Sequence, residues 1–254
     1  MSKANNHRNV SRNADSRNVN NHRKVTNHSR DVVSSPRPAT ELRAEVTTPA
    51  QFAQARRLLQ SGGISALYAP FRLCGAITPA EAEHIICIPP LCFGELTPPP
   101  EHAKHILCRT IGHIAGYGGL VLHGGASLNI SNDSAAAFYG SQGLCDIIVP
   151  TAELGTAKAA RLTAPVSTGV YIYGRAALMQ LRRCPIGKRN CGRGDCAITD
   201  RRGAVFPLVC DGYGTVEVEN AVVAREKREF YGGFDFAVVR FVDETDIVSV
   251  LRGL

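Results

Sequence analysis

Four cysteines in one short stretch are the residues of this chain best suited to chemistry. Cys184, Cys191, Cys196 and Cys210 follow one another as C-x6-C-x4-C-x13-C. Four thiolates can close a tetrahedral zinc site or hold an iron–sulfur cluster. A zinc ribbon usually shows two tight C-x2-C knuckles, and this segment has none. The wider, irregular spacing suits a cluster, which is larger than one ion; a 4Fe-4S cluster is the expected cofactor and zinc the alternative. Four structural thiols without metal are the remaining reading, set oddly among glycines and charges. Arg182, Arg183, Lys188, Arg189, Arg193, Arg201 and Arg202 share the segment with only Asp195 and Asp200. That positive excess could offset the charge of a thiolate-bound cluster, or meet RNA phosphate or an anionic small molecule.

The other five cysteines, Cys74, Cys87, Cys92, Cys108 and Cys145, lie in apolar or mixed surroundings. They read as small buried hydrophobes. An odd total of nine, in a chain expected in a reducing compartment, argues against a disulfide framework. His123 and Glu153 fall near predicted strand ends, where barrel chemistry sits, and are the candidate catalytic residues. Glu153 could be a general base or hydrogen-bond acceptor, or could merely compensate a helix N-terminus. A histidine in such a place is more often structural than catalytic, and that is the competing reading of His123. Asp200-Arg201 reads as a structural ion pair beside the cysteines, and the Gly192–Gly194 loop as a weak anion cradle. No Ser/His/Asp or HExxH constellation is apparent.

Strands and helices alternate in the middle of the chain. Pro49–Leu59 has helical spacing and stops at Gly62-Gly63. Strands are expected at Ile64–Tyr68, Ile85–Ile88, Gly119–Leu122, Ser127–Ile130, Asp146–Val149 and Gly169–Tyr173. Helices are expected at Glu101–Ile114, Asn132–Ser141 and Ala152–Leu162. Short connections between them predict β/α units and a parallel sheet. The count is four or five units, about half of a (β/α)8 barrel. Past Gly174 the rhythm gives way to the cysteine segment, then to β-like pieces at Thr215–Val218 and Phe236–Phe241, and a helix at Glu244–Leu251. The fold class is α/β: a partial TIM-like barrel, a Cys-rich loop and a small β-rich C-terminal part. The expected divisions are a tail at 1–43, a half barrel at 44–177, and a cluster-binding segment with C-terminal closure at 178–254.

Of the net charge of +7, +6 belongs to the tail, where nine basic residues face three acidic ones across residues 1–43. Rich in Asn, Arg, Ser and His, the tail cannot bury enough apolar area to offset its ordering entropy. It reads as a disordered leader, or as an RNA-binding arm. With no run of about 18 apolar residues and no apolar h-region, neither a membrane span nor a secretory signal is expected. The expected location is cytoplasmic.

An ordered set of motifs runs through His123-Gly-Gly-Ala-Ser-Leu-Asn129 with Asn132, Gly143-Leu, Glu153-Leu154 and Tyr173-Gly-Arg…Leu178-Met179. Cys184-Pro, Cys191, Thr199-Asp200-Arg201…Gly203…Phe206-Pro207-Leu208, Cys210 and Asn220 complete it. Between about residues 46 and 243 this set resembles the peptidase U32 (collagenase-like) family. The resemblance implies a TIM-like barrel with a cluster on the cysteines, of which Cys184, Cys191 and Cys210 match best. It implies hydroxylation of a tRNA or rRNA base; collagenase-like proteolysis is the alternative carried by the family name. One large departure is the missing N-terminal barrel half. A half barrel exposes two strand edges. The expectation is therefore a homodimer, a separately encoded partner half, or a non-catalytic fragment or zinc-binding structural module.

Overall fold

The computed structural model describes residues 41–91, 94–187 and 196–254. The expectations for the tail up to residue 40, for Cys92, Cys191 and the Gly192–Gly194 loop lie outside these described residues.

Strand β1 (Glu41–Glu45) leads into α1 (Pro49–Gln60), β2 (Ala66–Pro70), α2 (Phe71–Cys74), β3 (Ile85–Ile88) and β4 (His105–Cys108). There follow α3 (Ile111–Gly116), β5 (Val121–Gly124), α4 (Asp133–Ser141), β6 (Leu144–Ile148), α5 (Thr151–Leu154), α6 (Thr156–Ala159) and β7 (Ser167–Gly174). The chain then makes β8 (Ala177–Leu181), β9 (Ala197–Thr199), β10 (Val205–Cys210), β11 (Val216–Glu219) and β12 (Ala224–Arg225). It closes with α7 (Arg228–Tyr231), β13 (Phe236–Arg240) and α8 (Ile247–Arg252).

Parallel strands β1 to β7 pair in chain order; β7 also pairs with β13, and β13 returns to β1. The ring therefore closes on eight parallel strands, where the sequence reading counted four or five units. Three differences account for the gap. β1 lies at the edge of the segment read as tail. β4 lies inside the stretch read as the Glu101–Ile114 helix. β13 follows the cysteine segment and so escaped the count. What is abbreviated is the helical layer: several helices are one turn long, and among the described residues none stands between β3 and β4. Closure also removes the open edges on which a partner half was expected to pair. The expected Ser127–Ile130 strand is instead a 3-10 turn at Ala126–Leu128, ended by Asn129 at φ +52°.

Register-matched side chains share a face of a sheet. Tyr68, Ile86, Ile88, Leu107, Ile148, Phe236 and Val238 fill the barrel interior. A larger apolar layer, including Ala44, Leu67, Ile85, Ile106, Ile147 and Val239, lies between the strands and the helices. Gly169 is required by that interior, since a Cβ there would sit 2.1 Å from the Phe236 ring.

The seam between first and last strands is held outside by α1. Thr48 and Gln51 form a capping box around Pro49, which sits well at the first helical position. Gln51 Nε2 donates to the Glu244 carbonyl at 3.0 Å, and Gln54 Nε2 to that of Thr245 at 2.8 Å. The start of α8 is thereby fixed against α1.

Antiparallel strands β8, β11, β10 and β9 form a second sheet. It roofs the barrel at the C-terminal ends of the strands. Strand alternation gives the roof two faces. Gln180, Glu217 and Glu219 point into the barrel, while Leu181, Leu208, Val216 and Val218 point away from it.

Candidate functional site

The outer face of the roof gathers the described candidate cysteines. Cys184 and Cys210 pack against a cluster of Cys196, Leu208, Val216 and Val218. Pairing of Cys210 with Val216, and of Leu208 with Val218, places Cys210 on this face. A tetrahedral zinc with bonds of about 2.3 Å holds its sulfurs roughly 3.8 Å apart. Cys184, Cys196 and Cys210 do not close as a group to within 4.8 Å of one another. The structure thus brings Cys184, Cys196 and Cys210 to one apolar patch on this face. Asp200, beside them, closes a turn by accepting from the Arg202 and Ala204 amides at 2.8 and 2.9 Å. Among the described residues it forms no ion pair with Arg201, so its role is that of a turn residue.

The inner face meets a charged ring at the barrel mouth. Arg240, buried on β13, donates to Glu45 at 2.8 Å, to Glu217 at 3.0 Å and to both oxygens of Glu219 at 2.5 and 2.9 Å. Arg109 from the end of β4 pairs with Glu217, and Tyr171 donates to Glu45 at 2.6 Å. Burial pushes the Glu219 carboxyl up despite Arg240. Burial also pushes Glu217 up, but Arg109 and Arg240 together outweigh it and hold that carboxyl below its ordinary value. Among the described residues, Arg109 Nε is buried without a hydrogen-bond partner.

A cavity of about 310 Å³ opens beside this ring. Its lining includes Leu107, Arg109, Tyr171, Tyr173, Arg175 and Gln180, with Glu153 at the start of the β6 connection. Aromatic faces, guanidinium groups and carboxylates converge there, at the strand ends where barrels place chemistry. Gly174 permits the close passage of β7 past β13: at φ +129°, a Cβ there would lie 2.5 Å from the Arg240 carbonyl oxygen. Arg175 then donates to the Asn220 and Ala221 carbonyls at 2.9 and 2.6 Å and pairs with Asp243. Glu153, by contrast, is exposed, and its carboxylate has no hydrogen bond among the described residues.

His123 is not part of this cavity. It points into the opposite half of the barrel, where its Nδ1 lies 2.9 Å from Asp146 Oδ1 and its Nε2 lies 3.0 Å from His105 Nδ1. Arg43 holds the other Asp146 oxygen at 2.6 Å and covers the Phe236 ring at 3.6 Å. Cys145 joins the group, its Sγ 3.4 Å from His123 Nδ1. The sequence reading took this thiol for a buried hydrophobe, as Cys74, Cys87 and Cys108 are; Cys145 is exposed. It missed His105, Asp146 and Arg43 as well. Their signal was faint, because ionisable residues within short strand patterns mark an interior only once the barrel is known to close.

Among the described residues no helix is long and apolar enough to cross a membrane. Comparison with protein-family models, with curated proteins and with solved structures finds no match.

Proposed function

We propose that this chain is an iron–sulfur protein of the peptidase U32 type that takes part in hydroxylating a tRNA or rRNA base bound at the barrel mouth. One observation carries the reading: a single small sheet bears the cysteines on one face and walls a substrate-sized cavity with the other. Cys184, Cys196 and Cys210, with Cys191 as the fourth ligand, would hold the cluster, which supplies electron transfer.

The remaining roles belong to the chain's own residues. Tyr171 and Tyr173 offer flat surfaces to an unstacked base, the usual way a single-stranded RNA base is held. Glu153 offers a carboxylate to a base N–H, and Gln180 a side-chain amide. Exposed Arg182, Arg183, Arg201 and Arg202 on the roof connections supply positive charge for the RNA backbone. No observation favours proteolysis: the Ser127 hydroxyl in the cavity donates to the Arg109 carbonyl at 2.9 Å rather than to a histidine.

Anaerobic purification tests the reading. Iron and acid-labile sulfide in near-equal amounts, with broad visible absorption that Cys184→Ser or Cys210→Ser abolishes, would support it. Mass spectrometry of RNA from cells lacking the protein should then show a missing hydroxylated base. A colourless protein with no iron, or one carrying stoichiometric zinc without sulfide, would overturn it.

A further inference from the structure

We propose that His123, Cys145 and Asp146 form a second metal site, for a zinc-type divalent ion, at the end of the barrel away from the cavity. The ligand atoms are His123 Nδ1, Cys145 Sγ and Asp146 Oδ1. All three residues offer donor atoms within 4.8 Å of one another. Nδ1 lies 2.9 Å from Oδ1 and 3.4 Å from Sγ. A tetrahedral ion with bonds of about 2.0 to 2.3 Å spaces its ligands by roughly 3 to 4 Å. Two of the three separations therefore already match edges of such a tetrahedron, and the thiol, also 3.7 Å from His123 Nε2, needs only a side-chain rotation to complete it.

The backbone is built to allow this. Neighbouring residues on a strand normally point to opposite faces, so Cys145 and Asp146 should not share one. The pairing of β5 with β6 slips between Leu122↔Leu144 and His123↔Asp146, which leaves Cys145 as an extra residue. Such a bulge re-aims a side chain. Here it turns the thiol toward the same imidazole that the Asp146 carboxylate faces.

The surroundings complete the site. Metal-bound histidines usually donate their second ring N–H to an acceptor. His105 Nδ1 stands 3.0 Å from His123 Nε2 and fills that role. Arg43 secures Asp146 Oδ2 at 2.6 Å and leaves Oδ1 for the ion. Imidazole, thiolate and carboxylate together select zinc-like ions over magnesium or calcium. Cys145 is solvent-exposed, so water can take the fourth position. In barrels this end serves stability rather than chemistry. The ion would staple β5 to β6, displacing the proton between His123 and Asp146 and that of the thiol.

Cobalt(II) reports the site without reference to activity. The chelator-treated full chain is titrated with Co2+ as wild type, as Cys145→Ser, and as Cys184→Ser/Cys210→Ser with and without Cys145→Ser. Near-UV thiolate-to-cobalt absorption should survive loss of the roof cysteines. It should disappear, with at least a tenfold loss of affinity, when Cys145 is also replaced. Should the roof variants fail to fold, the wild-type minus Cys145→Ser difference spectrum carries the same signal. Zinc should raise the melting temperature only of chains that keep Cys145. Identical spectra, stoichiometry and melting with and without Cys145 would overturn the proposal. Cluster content is a separate reading, since Cys145→Ser should leave iron and sulfide unchanged.

Discussion

Arg240 on the last barrel strand donates to both carboxylate oxygens of Glu219 on the roof, at 2.5 and 2.9 Å. The same guanidinium reaches Glu45 on β1 and Glu217 on β11, so one side chain joins the first strand, the last strand and the roof. Removing one partner from a buried charge network leaves the others uncompensated, typically at about 3 to 5 kcal/mol. Arg240→Met should therefore lower unfolding free energy by about that much, measured in urea. Replacing both Arg240 and Glu219 by apolar residues should cost less than the two single changes added together. Additive losses would show that the two residues do not act as a pair.

His113 gives the fold a pH dependence of its own. The residue is buried and its Nδ1 accepts the Arg109 amide at 3.3 Å. Burial first, then the Arg109 charge, lower its pKa from 6.5 to about 4. The unfolded chain thus binds a proton near pH 6.5 that the folded chain refuses until about pH 4. Stability from this group is complete above the higher value and is lost as pH falls through the interval, by on the order of 3 kcal/mol. Urea titrations from pH 7 to 4 should show a loss that His113→Gln reduces. Parallel curves for the two proteins would refute the assignment.

Some of this architecture is plain in the residues. The helical spacing from Pro49 and the Gly62-Gly63 stop marked α1, and the Asn132 start marked α4, because periodicity and capping are local chemistry. β1 was hidden because its inward positions, Arg43 and Glu45, are charged; their buried charge partners lie on β6 and β13, far along the chain. β4 is four residues long, with its last three buried, and periodicity cannot separate so short an apolar run from helix. The cysteines could be picked out by spacing, and strand alternation explains the face taken by Cys210. Cys145 could not, since a register slip between two strands leaves no trace in either one alone.

Gly169 is where the packed interior can be tested most directly. Its hydrogen faces the Phe236 ring, and a methyl group there would lie 2.1 to 2.4 Å from three ring carbons. Phe236 is fully buried between β7 and β1, so the ring has no room to withdraw. Overpacking of this kind usually costs about 1 to 3 kcal/mol. Gly169→Ala should fall in that range by thermal or urea unfolding, and Gly169→Ala/Phe236→Leu should recover part of it. A neutral Gly169→Ala would mean the strand shifts to accommodate the methyl.

Glu153 separates a binding role from a structural one. It sits in α5, a helix of four residues, too short for a substantial dipole that an acidic side chain would compensate. Its carboxylate is exposed at the cavity and unpaired among the described residues, so little folding energy depends on it. Glu153→Gln should change stability by less than about 0.5 kcal/mol, as ordinary surface substitutions do. A hydrogen bond from a base to this carboxylate is worth about 1.5 to 3 kcal/mol, or roughly 10- to 150-fold in affinity. Titration of short single-stranded RNA oligonucleotides against the cluster-loaded protein should therefore weaken by at least tenfold in Glu153→Gln while its unfolding curve overlays wild type. Unchanged RNA affinity would remove Glu153 from the site, and a large stability loss would assign it to the fold instead.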